Sequence, residues 1–401
     1  MGEHTSKPPV VGEKGRSTLG ELIHAAVRGA IEAAVEAELA ATLGADRYER
    51  RDSRQGYRNG TKTRTLSGPT GAMALSLPRA TVATSTGRQE WRSMLVPRYR
   101  RRLAEVNTAV LATYLAGGNT RRIRGALAPL LHGAPLSRSA VSRIVATLKS
   151  SLEAWQRRPL VDLEVVYAYL DALALRVRSG GKVVSVPVLA VVGVLADGQK
   201  VLVELDLCGG ESYEAWKGCL DGLVERGLKA PLLCIIDGHA GLRRAVGEVW
   251  ARAAVQRCCV HKLRNLERKA PKHVLDELRA DFHRIVYAAS TEVARAAWTM
   301  FERTWGKRCP GIVKSLQEGS AELLTFFSFP KAQWKTLRTT NAIERLNEEC
   351  RRRVKTQGAL PTEDSALLLL FGLVATGQIT LRKLDGYTQL GAVIRQRMRA
   401  A

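Results

Sequence analysis

The run Val165-Val166-Tyr167-Ala168-Tyr169-Leu170-Asp171-Ala172-Leu173-Ala174-Leu175 constrains this chain more than any other stretch. Every residue but one is apolar, and apolarity does not recur at helical spacing, so the run predicts a strand covered on both faces of a sheet. The exception is Asp171, whose plain alternative is a surface-facing place on an edge strand. A carboxylate inside such a strand is costly unless it is paired or holds a cation. A second run, Leu232-Leu233-Cys234-Ile235-Ile236-Asp237-Gly238, ends on another acid, at the strand end where open α/β sheets place their ligands. Asp237 has a plain alternative as half of an Asp-Gly turn, the reading given to Asp197-Gly198. A third acid, Glu344, lies in Asn341-Ala342-Ile343-Glu344-Arg345-Leu346-Asn347, the first turns of a helix. Three such carboxylates form an all-oxygen donor set suited to Mg²⁺ or Mn²⁺, and two ions about 3.5–4 Å apart support in-line phosphoryl displacement. Glu344 also has a structural alternative, as the Glu of a capping box with Asn341 as N-cap. Glu348, one turn on, shares its face and competes as third ligand, whereas Glu349 points elsewhere.

Around these acids the pattern predicts strands at 165–177, 183–196 and 200–207, a helix at 211–226, a strand at 231–237, a helix at 241–250 and a short strand at 255–259. That succession is a mixed sheet with helices on its faces, an α/β domain. Residues 262–330 read as helical, and a last clear helix spans 341–356, with Gly358 and Pro361 after it. Trp298 and Trp305, seven apart, suit core packing before base stacking, and His239 either touches substrate or bonds the turn after Asp237. Cys258 and His261 form a C-x-x-H pair; without a second pair at finger spacing, packing and hydrogen bonding are preferred to zinc.

The chain carries 62 Lys and Arg against 38 Asp and Glu, a formal net charge of +24 spread along its 401 residues, which points to a polyanion partner. Residues 1–17 lack periodicity and are expected to be disordered. Leu19–Leu43 is an amphipathic helix, packing on its own domain or self-associating. From Arg47 to Arg102, basic residues interleave with Tyr57, Trp91 and Tyr99, which suits phosphate contact with stacking. Arg50–Gly60 reads as a loop or β-turn, followed by short strands near 62–66 and 72–77. Three helices follow, 103–116, one capped by Asn119 or Thr120 and running to Leu131, and one capped by Ser137 or Ser139 and running to Lys149, with a Gly133-Ala134-Pro135 turn. A capped helix after a short turn is the helix-turn-helix pattern, and it would set Arg138, Ser139, Ser142 and Arg143 at the DNA edge. Arg351, two turns beyond Glu344, is placed to meet a phosphate. The longest apolar stretches, Val186–Ala196 and Ala366–Ala375, fall short of the roughly 20 residues a spanning helix needs. Seven scattered cysteines, an odd number, suit reduced thiols in a cytosol.

From about Arg50 to Gly386 the chain resembles the Mutator-type transposases of bacterial insertion sequences, a branch of the DDE transposases. The resemblance rests on Gly56-Tyr57-Arg58-Asn59-Gly60, Ser137–Arg143, Tyr169-Leu170-Asp171-Ala172, Ile236–Leu242, Gln256–Asn265 and Thr340–Asn347, and on the spacing of the acids at 171, 237 and 344. It implies a ribonuclease-H-like catalytic domain with an all-α insertion, preceded by a helical DNA-binding domain of helix-turn-helix type. The implied order is a disordered tail and amphipathic helix (1–46), a basic DNA-contacting region including Arg58 (47–102), the helix-turn-helix (103–155), the first part of the catalytic domain (160–261), the insertion (262–335), and the Glu344 helix with a C-terminal tail (336–401). Asp171, Asp237 and Glu344 are then the catalytic and metal-binding triad for two Mg²⁺ or Mn²⁺ ions, with Cys258 and His261 as an accessory motif. The implied partners are terminal inverted repeats and target DNA, bound by a homodimer or higher oligomer on paired ends, in the cytoplasm at the nucleoid and without membrane attachment. A non-catalytic DNA-binding regulator or inactive relic, and a structure-specific nuclease of the same fold, are the competing readings.

Overall fold

Thr18 and Glu21 open the first helix as a reciprocal capping box, and Gly44, in the left-handed region, closes it; the helix, α1 (Leu19–Leu43), has the bounds its periodicity predicts. The computed structural model describes residues 18–118, 122–131, 136–179, 181–355, 360 and 362–400, divided between two compact units, Met1–Ala146 and Thr147–Ala401. Residues 1–17, the caps Asn119 and Thr120, the turn at 133–135, and Gly358 and Pro361 lie outside the described residues.

In the first unit α1 lies on an antiparallel sheet of β1 (Gly56–Gly68), β2 (Gly71–Thr84) and β3 (Gly87–Glu90). Strict alternation along β2 turns Met73, Leu75 and Leu77 inward, where they meet Val35 of α1, Leu66 and Val96. The C-terminal half of α1 is therefore core of its own unit, while Leu19, Leu22 and Ile23 at its other end are exposed. The expected loop at Arg50–Gly60 is corrected in its second half. Gly56 already begins β1, pairing with Val82, and a register shift between Arg58 and Thr61 interrupts the ladder. The helices α2 (Ala104–Leu115), α3 (Ile123–Leu131) and α4 (Arg138–Gln156) follow, and Val106, Val110, Ile123, Leu127, Leu136, Val141 and Ile144 form their shared core. Ser137 Oγ accepts from the Ala140 amide at 3.1 Å, the expected cap on α4. The helix runs seven residues past Lys149, because Leu152 is still buried.

The second unit is built on a five-stranded mixed sheet: β4 (Val165–Ser179), β5 (Lys182–Leu195), β6 (Lys200–Leu207), β7 (Leu233–Ile236) and β8 (Ala254–Arg257). The order is β6-β5-β4-β7-β8, with β6, β5 and β4 antiparallel and β4, β7 and β8 parallel. One face carries α5 (Tyr213–Glu225) and α6 (Ala240–Val249), whose Trp216, Leu220, Leu242 and Val246 pack with Leu170, Val191, Val203, Cys234 and Ile236. Alternation sends Tyr167, Tyr169 and Asp171 to the other face, where the Tyr167 hydroxyl donates to Gln333 Oε1 at 2.8 Å and that of Tyr169 to the Thr336 carbonyl at 3.2 Å. With both faces covered, β4 reads as an apolar run.

Residues 262–330 are helical as expected: α7 (Cys259–Glu267), α8 (Leu275–Val286), α9 (Thr291–Arg308), α10 (Pro310–Gln317) and α11 (Ser320–Leu323). Trp298 and Trp305 are core residues of this segment, their ring nitrogens bonded to Glu302 and Asp281. A short α12 (Trp334–Leu337) leads to α13 (Asn341–Lys355), which lies near β4. Two further helices, α14 (Glu363–Ala375) and α15 (Leu390–Ala400), follow what the sequence marked as the last clear helix. Leu368, Leu369, Leu370, Phe371 and Leu373 are all buried in α14, and an apolar surface this broad leaves no amphipathic period to read.

Candidate active site

Asp171 and Asp237 meet through strand register. The parallel ladder of β4 with β7 ends at Leu170 opposite Ile236, so the next residue of each strand is an acid. Gly238, at φ 101°, turns the chain sharply away, and the Asp237 Oδ1 atom accepts from the His239 amide at 2.8 Å. Asp237 thus makes an Asp-Gly turn and stands beside Asp171 at once. His239 bonds the turn: its Nδ1 accepts from the Leu242 amide at 3.3 Å and caps α6. Asp171 is 8% exposed, and its one hydrogen bond given by the structure is from the Ala172 amide at 2.9 Å. Burial first, then the charge of Asp237, push its carboxyl up to about 7, against the opposing pull of His261.

Glu344 joins this pair through His261 and Arg264 of α7. Its Oε1 lies 3.6 Å from His261 Nε2 and 3.3 Å from an Arg264 guanidinium nitrogen. The capping-box reading of Glu344 is corrected: Asn341 is already the first helical residue, and the Thr340 carbonyl accepts from the Ile343 and Glu344 amides at 2.9 and 3.2 Å. Glu344 is therefore one position too late to reach back to the cap, and its side chain goes to α7. Glu348 is exposed, and Glu349 pairs with Arg352 and Arg353. His261 faces all three acids. Its hydrogen bond with Cys258 is the main cause, beside the charges of Asp171 and Asp237, that lifts the imidazole to about 9. Burial would raise the Cys258 thiol, but bonding and charge from His261 outweigh it and hold the thiol below its ordinary value. Among the described residues no group of three His, Cys, Asp or Glu side chains stands close enough together to hold a metal ion. His261 and Arg264 thus set positive charge beside the acids.

A cleft of about 390 Å³ opens beside Asp237, lined by Gly238, His239, His261, Arg264, Asn265 and Arg268. Arg264 and Arg268 were missed as site residues in the sequence, although their spacing from His261 on one face of a helix was a usable signal. Glu211 was missed as well; it stands 3.7 Å from His239 and adds to the negative potential on Asp171.

The first unit has a groove of its own, of about 710 Å³, on the β1–β2 sheet and the start of α4. Among the described residues it is lined by Lys62, Arg64, Arg79, Arg92, Arg98, Arg100, Arg101, Arg102 and Arg143, against a single acid, Glu90. Burial, then Arg143 and Arg101, hold the Arg102 guanidinium below its ordinary value. Arg138, Ser139, Ser142 and Arg143 are all exposed on α4, opposite buried Ala140, Val141 and Ile144. Arg58 is placed differently. Its guanidinium is mostly buried against Glu36 of α1, so it serves the packing of the unit and is not offered to a ligand. Arg351 is exposed on α13.

A family model for transposases of the Mutator family matches residues 12–379. The chain belongs to the Mutator family of transposases. Relatives carry the same designation: the transposase for insertion sequence element ISRM5 of Rhizobium meliloti is 37% identical over 283 residues, 70% of each chain. The transposase for IS406 of Burkholderia multivorans is 36% identical over 276 residues, 67% of this chain and 70% of its own. That for IS1081 of Mycobacterium tuberculosis is 33% identical over 303 residues, 75% of this chain and 72% of its own. The Mutator-family match takes in both units and all three acids. Among the described residues of this transposase-family chain, no helix is long and apolar enough to cross a membrane.

Proposed function

We propose that this protein is a DDE-type DNA transposase that binds the terminal inverted repeats of an insertion sequence and performs strand cleavage and strand transfer with Asp171, Asp237 and Glu344. The observation that carries the reading is Asp171, a buried carboxylate set by register beside a second one, in a chain of a transposase family. An all-oxygen donor set of three acids, one of them buried, fits a hard divalent cation. A bound pair of Mg²⁺ or Mn²⁺ ions would supply activation of the attacking water or DNA 3′-OH and charge stabilisation of the leaving 3′ oxygen. Asp171 and Asp237 would hold that pair from the sheet, and Glu344 from α13. Arg264 and Arg268 turn positive charge into the cleft that Asp237 lines and favour a phosphodiester there. The sheet order, with its antiparallel then parallel strands, supports a ribonuclease-H-like catalytic domain. The outward polar edge of α4, with its Ser137 cap, supports a helix-turn-helix in which Arg138, Ser139, Ser142 and Arg143 meet the DNA. The groove cations and Arg351 would take phosphates, and two protomers would assemble on paired ends.

A DNA-binding regulator needs the basic groove but has no use for a buried acid set beside a second acid. The test is a labelled duplex carrying the element's end, incubated with purified full-length protein and Mg²⁺. Cleavage that frees a 3′-OH, followed by its joining to a second duplex, is expected. Asp171→Asn or Asp237→Asn should slow cleavage about 10²–10⁴-fold, the scale of several kcal/mol of transition-state stabilisation, with end binding retained. Either variant cutting at the wild-type rate removes that residue from the triad. Binding without cutting would favour the regulator, and cutting without joining the nuclease.

A further inference from the structure

Glu344 must reach Asp171 and Asp237 from far along the chain, beyond the helices α7 to α12, and something must fix where α13 starts. A continuous path of hydrogen bonds does so. The Cys258 amide donates to the carbonyl of Ile236, the residue before Asp237, at 2.7 Å. The buried Cys258 sulfur accepts from the Thr340 amide at 3.4 Å and from the Thr340 hydroxyl at 3.5 Å. The Thr340 carbonyl in turn accepts from the amide of Glu344 itself. Two side links tighten the path: the Cys259 amide donates to the Arg338 carbonyl at 2.9 Å, and His261 Nδ1 stands 3.5 Å from the Thr340 hydroxyl while its Nε2 faces Glu344.

We propose that Cys258 is a positioning residue: its sulfur, gripping Thr340, sets the start of α13 against the end of β7 and so brings the Glu344 carboxylate into reach of the two aspartates. This gives the C-x-x-H pair a role without zinc, and it rests on the three acids being the metal-binding set. Thr340 is fully buried, and among the described residues its amide and hydroxyl both donate to this one acceptor. The separations suit sulfur, since an oxygen acceptor prefers about 2.7–3.2 Å from an N–H donor. Serine would keep an acceptor but at a stretched distance; alanine removes it and leaves two buried donors short of a partner.

The test compares wild type, Cys258→Ser, Cys258→Ala, Thr340→Ser and Glu344→Gln as full-length proteins. Mn²⁺ affinity is read from the free-ion paramagnetic resonance signal, beside the Mg²⁺ concentration for half-maximal cleavage, end binding and melting temperature in metal-free buffer. Loss of an outer group that orients a ligand costs about 10–100-fold in metal affinity. Cys258→Ala should lose that much, Cys258→Ser should lie between it and wild type, and Thr340→Ser, which keeps both donors, should match wild type. Cys258→Ala with unchanged Mn²⁺ affinity and Mg²⁺ requirement overturns the positioning role and leaves the triad standing. If Cys258→Ala does not fold, Cys258→Ser decides: wild-type metal parameters overturn the proposal, and a folded protein with weakened metal binding supports it. Glu344→Gln binding Mn²⁺ as wild type does would instead sink the reading of the triad on which the proposal stands.

Discussion

The groove of the first unit and the acid cluster of the second pose the same electrostatic problem with opposite signs. In each, like charges crowd together, and in each one member is pushed toward its neutral form by burial first and by like-charged neighbours next: Arg102 downward, Asp171 upward to about 7. The difference lies in solvent. Most of the groove cations stay exposed and hydrated, so a mobile polyanion can neutralise them one phosphate at a time. Asp171 is enclosed, so any counter-charge beyond the pull of His261 must be compact and enter a shaped place. Crowded exposed charge suits a long flexible partner, and crowded buried charge suits a small hard ion.

The largest expected effect bears on the groove. If its cations neutralise six to ten phosphates, affinity of the full chain for duplex ends should fall about 10³–10⁵-fold between 50 and 200 mM salt. Replacing Arg143 by Ala should lower preference for the terminal repeat; equal weakening on every sequence, with a shallower salt slope, would make Arg143 a phosphate contact. A flat salt response would break the comparison at once.

A smaller but sharper effect separates the acids of α13. Glu344→Gln keeps shape and loses charge, and should slow both cleavage and strand transfer about 10²–10⁴-fold with an unchanged metal-free melting temperature. Glu348→Gln, on an exposed residue of the same face, should retain measurable activity. The reverse pattern moves the third ligand one helical turn along α13.

The smallest effect concerns stability. The folded-state carboxyl of Asp171 is raised above its ordinary 3.8 to about 7. Between these values the metal-free fold keeps a proton that the unfolded chain has released, so this group's contribution falls as pH rises from about 4 to 7 and then levels. Asp171→Asn should remove that slope and gain about 1–3 kcal/mol at pH 8 in chelator, a gain that urea unfolding at pH 5 and 8 would measure. Saturating Mg²⁺ should stabilise wild type more than the variant. Equal slopes for both proteins would mean that Asp171 carries no unpaired buried charge.

The elements most legible in the sequence were those whose periodicity matched their burial. The bounds of α1 and the strands β4, β5 and β6 came within two residues. Legibility failed where burial and local pattern parted. Gly56–Gly60 enters β1 with Arg58 turned inward on Glu36, so a basic Gly-rich segment concealed a strand. Cys350, placed among arginines, is an inner-face residue of α13, fully buried with Ile343 and Leu346. The Asn341 cap failed by one residue, which was enough to redirect Glu344 from its own helix end to α7.

Two Asp-Gly pairs mark where sequence stops deciding. Asp197 accepts from the Gln199 amide at 2.8 Å and Asp237 from the His239 amide at the same distance, and both glycines take left-handed backbone. Composition and periodicity determined both turns, because an Asx turn needs only its own few residues. They made a buried Asp171 the expectation, since the strand around it is apolar on both sides, but an edge strand would have left it facing solvent, and the sheet order placed β4 in the middle. Which turn comes beside another acid was decided by sheet order alone: β7 lies beside β4, so Asp237 comes next to Asp171, while Asp197 ends a hairpin at the surface. Local dihedral preferences act over a few residues, whereas acids at 171, 237 and 344 meet only after the intervening chain is packed and its loop-closure entropy offset by the whole core.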